Sequence, residues 1–305
     1  MTYAQLLFPD FALILIGYLI CRFTALNRSI WQPVEGLVYY FLFPTLLFYS
    51  IIRAPIDWLG ASNLMAAGLL GGLASIALAY GLPHLPWLGQ RLDAQDAAAS
   101  AQAAFRFNSF IGLALADRLA GAQGLQLISV LIGVCVPMFN IAAVYPMARG
   151  SQTGFVRELA RNPLIVATVA ALACNLLGIR LPALVEPTVA RIGQASIALG
   201  LMSAGAGMQL GLLARGKWLS VSVLSIRHVA SPLLALLLAH LLRLSSVQAT
   251  ILLTFSALPT ASTCYVLAAR MGFNGPFVAG LVTLSTLAGI ASLPFALMLL
   301  QWWPV

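Results

Sequence analysis

Long apolar stretches separated by short polar segments run along the whole chain. A helix needs about 20 mostly apolar residues to cross the hydrocarbon core of a membrane. On that criterion the pattern predicts ten membrane-spanning helices, at residues 6–22, 33–52, 60–86, 98–119, 124–148, 163–179, 182–211, 218–242, 246–270 and 275–302. The connections between these spans are too short for a soluble domain, so we expect an all-α integral membrane protein.

The composition supports the same class. Hydrophobic residues make up 61% of the chain and charged residues 8%, whereas soluble domains have about 45–50% and about 25%. Eight acids and sixteen bases cannot cover the surface of a soluble protein of 305 residues, which excludes soluble enzymes and disordered proteins. The net charge of +8 comes from bases scattered singly along the chain, so we expect membrane lipid, and no nucleic acid, as a partner.

Basic residues are distributed unequally between alternate connections. Counted from the N-terminus, the odd-numbered connections carry nine arginine or lysine residues and the even-numbered connections carry four. Connections rich in these residues stay on the cytoplasmic side of a membrane. We therefore expect a multi-pass protein of the inner cell membrane with both termini on the outer side.

The chain also divides into two similar halves, residues 1–150 and 151–305, each with five predicted spans. At an offset of about 152 residues, segment 105–121 of the fourth span aligns with segment 257–273 of the ninth, and Asn108 aligns with Thr260. Because five is an odd number, the second half enters the membrane inverted relative to the first. Inverted repeats of this kind are typical of secondary transporters.

The fourth and ninth spans are the least suited to a continuous helix. The ninth contains Pro259, which has no backbone N–H, followed by the polar residues Thr260 and Ser262. The fourth contains Arg106 and Asn108 within apolar sequence. Broken helices near the membrane midplane expose N–H groups that attract anions and carbonyls that attract cations. The alternative interpretation is an ordinary proline kink with an interhelical hydrogen bond.

Two arginines lie deep in predicted spans: Arg106, and Arg227 in the eighth span, where His228 follows it. An arginine at the centre of a membrane helix costs at least about 2.5–3.5 kcal/mol, and the sequence places no acid at a comparable depth. These charges favour an anionic substrate, although Arg227 alternatively binds backbone carbonyls or reaches an interface. In the fifth span, Pro137 and Asn140 either kink the helix or line a cavity.

No motif points to a cofactor, a metal or an enzymatic reaction. The four cysteines lie in or beside apolar stretches without close spacing, which indicates packing rather than disulfides or metal ligands. The sequence has no phosphate-binding loop, no cluster of histidines and cysteines and no candidate catalytic triad. We predict a protein that is not an enzyme and has no cofactor.

Three segments resemble the auxin efflux carrier family, in its bacterial branch related to the plant PIN carriers: FRFNSFIGLAL at 105–115, RELARNPLIVATVAALACNLLGIRLPALV at 157–185 and FSALPTASTCYVLAARMGF at 255–273. The resemblance implies ten helices in two inverted five-helix repeats of the bile-acid-symporter type. It also implies a scaffold of helices 1, 2, 6 and 7, a transport unit of helices 3–5 and 8–10, and substrate binding where the broken helices 4 and 9 cross.

The resemblance extends to single residues at this crossing. The crossover asparagine of the family matches Asn108, and the crossover proline of the ninth helix matches Pro259. The chain departs from the plant pattern because Phe107 stands where those proteins have a proline, and because the long cytoplasmic loop of the plant members is absent. These departures put auxin itself, and the geometry of helix 4, in doubt.

Together these observations predict a secondary transporter that moves a small organic anion by an elevator type of alternating access. The anion is expected to be a carboxylate, with auxin-like compounds and dicarboxylates among the candidates. We expect Asn108 and Thr260 to contact the substrate or cap the half-helices, Arg106 to attract the anion and Pro259 to keep helix 9 broken. The remaining candidate substrate-binding residues are Asn140 and Ser262. A membrane enzyme acting on lipid and a channel are the alternatives. The driving ion stays open, as does a homodimer formed through the glycine-rich seventh span.

Overall fold

The computed structural model describes residues 3–52, 58–147, 163–208, 216–261 and 263–303. Within these ranges the chain is helical, and its one extended pairing is an isolated antiparallel bridge between Phe107 and Thr260. The first half contains α1 (Tyr3–Phe23), α2 (Arg28–Leu37), α3 (Phe43–Ile52), α4 (Trp58–Gly81), α5 (Pro86–Gly89), α6 (Ala94–Ser100) and α7 (Ser109–Val144). The second half contains α8 (Pro163–Leu176), α9 (Glu186–Ala206), α10 (Lys217–Ser225), α11 (Ser231–Leu241), α12 (Ser246–Ala257), α13 (Thr263–Arg270) and α14 (Gly275–Trp302).

Four helical stretches of the described residues are long and apolar enough to cross a membrane: Ala61–His84, Ser109–Val144, Lys217–Leu241 and Gly275–Trp302. Non-helical backbone at Ala120 and Gly121 divides the second of these into two helical segments. Phe11–Phe23 and Ser246–Ala257 are also apolar but shorter. These helices confirm the all-helical, multi-pass membrane class, while the full set of ten spans and their inverted repeat stay predictions.

Packing divides the chain into two compact units. The first comprises Met1–Met65, Phe110–Val134 and Gly154–Gly207, and the second comprises Ala66–Ser109, Cys135–Thr153 and Met208–Val305. In the first unit α1 lies against α9 with their backbones in close approach. A Cβ atom added at Gly205 would overlap the carbonyl of Ile14, so glycines of the predicted seventh span are used for packing within the chain.

Two prolines widen the helix turn that precedes them. A π-helical turn at Val38–Leu42 joins α2 to α3, and another at Ile226–Ala230 joins α10 to α11. In each case the residue just before a proline donates its N–H to the carbonyl five residues back, Phe43 to Val38 and Ser231 to Ile226. The prolines, at positions 44 and 232, have no N–H and would clash with the carbonyl four residues earlier in a regular helix, so the wider turn relieves the clash.

Candidate functional site

The first break in helical structure lies at residues 105–108, in the second unit. A 3₁₀ turn at Ala101–Ala104 follows α6, the backbone then extends, and α7 begins at Ser109. Arg106 is half-buried, whereas Phe107 and Asn108 are buried. The chain therefore carries a cationic side chain at the point where its helical hydrogen bonds stop.

The second break follows α12, at residues 258–261. Leu258 leaves the helical region of backbone conformation, with ψ at 142°, and Pro259 has no N–H to donate to the carbonyl of Phe255 four residues before it. Helical structure resumes with α13 at Thr263. Proline is thus the local chemical reason why α12 ends where it does.

The two breaks pair with each other, and together we call them the crossover. The N–H of Asn108 donates to the carbonyl of Pro259 at 2.7 Å, and the N–H of Ala261 donates to the carbonyl of Arg106 at 3.2 Å. These two bonds flank the antiparallel bridge between Phe107 and Thr260. Each break therefore satisfies backbone groups that the other leaves open, as buried backbone requires.

An apolar layer packs around the crossover. The ring of Phe107 lies 4.5 Å from the ring of Phe255 and 6.0 Å from that of Phe139, centroid to centroid. On the side of α14, Gly289 faces Pro259, and a Cβ atom added at Gly289 would lie 2.6 Å from Cγ of the proline ring. The absence of a side chain at position 289 therefore allows the ring of Pro259 to pack against α14 without a steric clash.

A chain of hydrogen bonds runs from the crossover to α14. The hydroxyl of Thr260 donates to the carbonyl of Ala103 at 2.7 Å and lies 3.0 Å from Oγ of Ser285. Ser285 also accepts the N–H of Thr260 at 2.9 Å, and its Oγ lies 2.8 Å from Nε2 of His228. Nδ1 of His228 lies 2.7 Å from Oγ of Ser292.

Counting hydrogens gives two arrangements in which every donor has an acceptor. The hydroxyl of Thr260 donates to Ala103 and Ser285 accepts the N–H of Thr260, which leaves the hydroxyl hydrogen of Ser285 for either Oγ1 of Thr260 or Nε2 of His228. In the first arrangement Nε2 of His228 donates to Ser285 and Nδ1 accepts from Ser292, and in the second Nε2 accepts and Nδ1 donates to Ser292. Both arrangements hold a neutral His228 between the two serines.

We expect Ser285→Ala to lower the melting temperature of the purified protein by about 5 °C. The substitution leaves the N–H of Thr260 without an acceptor and Nε2 of His228 without its partner, which costs about 1–3 kcal/mol per group. Thr286→Val is the matched control, because the neighbouring hydroxyl donates to the carbonyl of Val282 on its own helix at 2.9 Å. Equal melting temperatures for the two variants would show that the network contributes no stability.

Arg106 joins the two sides of the crossover through its side chain. Nη1 donates to Oε1 of Gln102 at 2.9 Å, and Nη2 donates to Oγ1 of Thr263, the first residue of α13, at 3.0 Å. Gln102 is oriented by its own amide, which donates to the carbonyls of Ala99 and Cys264. The guanidinium is therefore held at the N-terminus of α13, where the helix dipole is positive.

Arg227 lies in the π-helical turn and is 3% exposed. Its Nε donates to the carbonyl of Leu258 at 2.5 Å, Nη2 to that of Phe255 at 3.1 Å and Nη1 to that of Phe105 at 3.4 Å. The sequence left two alternatives to a substrate role for Arg227, binding to backbone carbonyls or reaching the membrane interface. The structure shows binding to backbone carbonyls.

The structure brings together four of the six predicted site residues: Arg106, Asn108, Pro259 and Thr260. Asn140 lies half-buried on α7, and within the described residues its side chain makes no hydrogen bond to the crossover. Ser262 lies outside the described residues. Sequence reasoning missed Gln102 and Ser285, since a glutamine or serine in an apolar span gives no signal before its distant partner is known.

Within the described residues, histidine, cysteine, aspartate and glutamate side chains do not form a group of three or more that could hold a metal ion. The ion pair that these residues contain, between Arg28 and Glu35, belongs to the first unit. The charge of the crossover thus comes from Arg106 and Arg227.

Comparison with known proteins gives consistent matches. A family model described as membrane transport protein matches residues 144–297, half of the chain. The chain is 24% identical over 282 residues to the uncharacterized transporter YfdV of Escherichia coli strain K12, which covers 87% of each protein. The same identity and coverage hold for YfdV of Escherichia coli O157:H7 and of Shigella flexneri.

Proposed function

This chain belongs to the membrane transport protein family, and we propose that within the family it is a secondary transporter of a small organic anion with a carboxylate group. The family match and the YfdV relatives confirm the resemblance to auxin efflux carriers and indicate a transporter rather than an enzyme. Membrane lipid and a small substrate are the partners that such a protein requires.

The position of Arg106 is the observation that carries this proposal. Its guanidinium has five N–H donors, and the described residues use two of them, on Gln102 and Thr263. The side chain is half-buried at the N-terminus of α13, where the helix adds roughly half a positive charge. A carboxylate can take two parallel N–H bonds from a guanidinium, which makes an anion the substrate that best fits this point.

The other predicted residues have supporting roles in the proposal. Thr260 uses both its hydroxyl and its N–H inside the protein, so it shapes the break rather than binding substrate. Asn108 lies in the paired segment next to Arg106 and is the candidate for a second polar contact. Asn140 and Ser262 are proposed as further substrate-binding residues.

The mechanism that we propose is alternating access of elevator type in a ten-helix architecture with two inverted repeats. A transport unit made of predicted spans 3–5 and 8–10 would carry the crossover past a scaffold made of predicted spans 1, 2, 6 and 7. These numbers refer to the ten spans predicted from the sequence. The backbone pairing of the two breaks supports this proposal, because the pairing lets both broken segments move as one body. A channel would instead keep a continuous polar path open on both sides.

Thermal stability and uptake together test the proposed function. Purified protein is screened by melting temperature against monocarboxylates, dicarboxylates, their amides and organic amines, with and without sodium and across pH. We expect carboxylates to stabilise the protein and amides and amines to have no effect. The stabilising compound is then followed in proteoliposomes, where counterflow against preloaded compound identifies a carrier. Stabilisation by amines, or flux without counterflow, would contradict the proposal.

Both termini are proposed to lie on the outer side of the inner cell membrane, from the bias of basic residues. Single cysteines at Gln90 and Trp303, both exposed, in a cysteine-free background provide the test with a membrane-impermeant thiol reagent on intact cells. We expect labelling at position 303 and none at position 90 until the cells are opened. Labelling of both positions in intact cells would contradict the ten-span arrangement.

A further inference from the structure

Arg227 is a buried cation that binds carbonyl oxygens. Its hydrogen bonds within the described residues go to Phe105, Phe255 and Leu258, and all three acceptors are backbone carbonyls. Within the described residues its side chain makes no hydrogen bond or ion pair with an acid. A buried arginine without a carboxylate is costly, so the carbonyls must compensate much of its charge.

These three carbonyls lie at the two breaks. The carbonyl of Phe255 would accept from residue 259 in a regular helix, and Pro259 has no N–H to give. Leu258 and Phe105 stand where the chain has left helical conformation, and their carbonyls accept N–H groups of Arg227. Arg227 therefore reaches the oxygens of both breaks at once.

Carbonyls exposed by unwound helices, and the C-terminal ends of half-helices, attract cations inside membranes. We propose that the guanidinium of Arg227 is a permanently tethered cation for the crossover and that it fills, by covalent attachment, the place of a bound metal cation. The proposal rests on the crossover being the functional centre of the transporter. It adds that the crossover keeps its shape without sodium or any other exchangeable cation.

Arginine suits this role better than lysine would. The guanidinium is planar and directs several N–H donors along fixed directions, which allows it to reach carbonyls on two different chain segments. An ammonium group is a compact point charge on a flexible stem. The π-helical turn at Ile226–Ala230 carries Arg227, so the proline at position 232 also has a part in placing the guanidinium.

The first test is chemical rescue of Arg227→Ala in purified protein. Wild type and variant are melted in the presence of guanidinium chloride up to about 20 mM, with urea and sodium chloride at the same concentrations as controls. We expect the variant to melt about 10 °C lower than wild type, which is the scale for unpairing a buried network in a chain of this size. We also expect guanidinium, and neither control, to restore at least half of the loss.

Two results would overturn the proposal. One is an identical response of variant and wild type to guanidinium, which would mean that the space left by the side chain does not bind a free cation. The other is a rise in the melting temperature of wild type with sodium chloride that choline chloride at equal ionic strength does not produce. Neither readout requires a substrate. The proposal for Arg227 can therefore fail while the proposed transport function holds, and the transport function can fail while the proposal for Arg227 holds.

A second variant keeps the test decisive where Arg227→Ala yields no folded protein. Arg227→Lys retains the charge, and it is combined with Pro259→Ala, which supplies the missing N–H to Phe255. We expect the lysine substitution to lower the melting temperature by about a third less when alanine is at position 259, because one of the three carbonyls then has its helical donor. Additive losses in this double-mutant cycle would overturn the link between Arg227 and the break.

Discussion

Replacing Arg106 by alanine is expected to abolish carboxylate uptake in proteoliposomes while the protein stays folded. The guanidinium is half-buried and bonds to Gln102 and Thr263. Thr263 is exposed and can bond to water instead, while buried Gln102 keeps its amide bonds to two backbone carbonyls. Charge-assisted bonds to a carboxylate contribute about 1.5–3 kcal/mol each. Losing two of them would weaken substrate binding by roughly 100-fold or more.

Arg106→Lys is expected to retain about a tenth of the uptake or less, because an ammonium cannot give the two parallel bonds of a guanidinium. Arg91→Ala is the matched control. This exposed arginine lies over the ring of Trp218 at 5.4 Å and outside the crossover. Normal transport by Arg106→Ala would make Arg106 a structural residue and leave the helix dipole as the main attraction for an anion.

Pro259→Ala is expected to lower uptake by about tenfold or more without lowering the melting temperature. Alanine supplies an N–H that can bond to the carbonyl of Phe255, so α12 gains a helical hydrogen bond through the break. The loss of ring packing against Gly289 opposes this gain. A backbone that re-forms helix at position 259 no longer presents its carbonyl to Asn108, and the pairing of the two breaks is weakened.

The combination of measurements distinguishes two roles for the proline. Unchanged or raised stability with lost uptake identifies a functional break. Pro294→Ala is the control, since that proline also lies inside a long helix, α14, but away from the crossover residues. A Pro259→Ala protein that melts several degrees lower and still transports would make the proline a packing kink.

The local signals in the sequence were sufficient for the helical class and for the chemistry of the second break. Apolar length predicts membrane helices, and the missing N–H of Pro259 acts within one turn. The pairing of Asn108 with Pro259 depends on residues about 150 positions apart, and the resemblance to a known family, rather than any local pattern, indicated it. The first break forms although Phe107 replaces a proline, because its backbone groups bond to the other break.

Other features could not be predicted because their signal lies in the partner. Ser285 is one of several serines in an apolar helix, and its role follows from the position of Thr260 and His228. Arg227 was visible as a buried charge, but the sequence left its interpretation open between an interface and carbonyls. The carbonyls that it binds are made available by breaks in two other segments, which no pattern around position 227 reveals.

The widened turn at Ile226–Ala230 has a consequence for residue numbering in related chains. A π-helical turn holds one residue more than the α-helical turn it replaces, and one residue corresponds to about 100° of rotation around a helix. A relative with a regular helix here would be one residue shorter. When the two sequences are aligned, residues on the same helix face correspond on both sides of the turn only if a gap is placed within the turn. An alignment without that gap would pair every residue on one side of the turn with a residue on a different face of the relative's helix. The equivalent of Arg227 would then be assigned to a neighbouring residue.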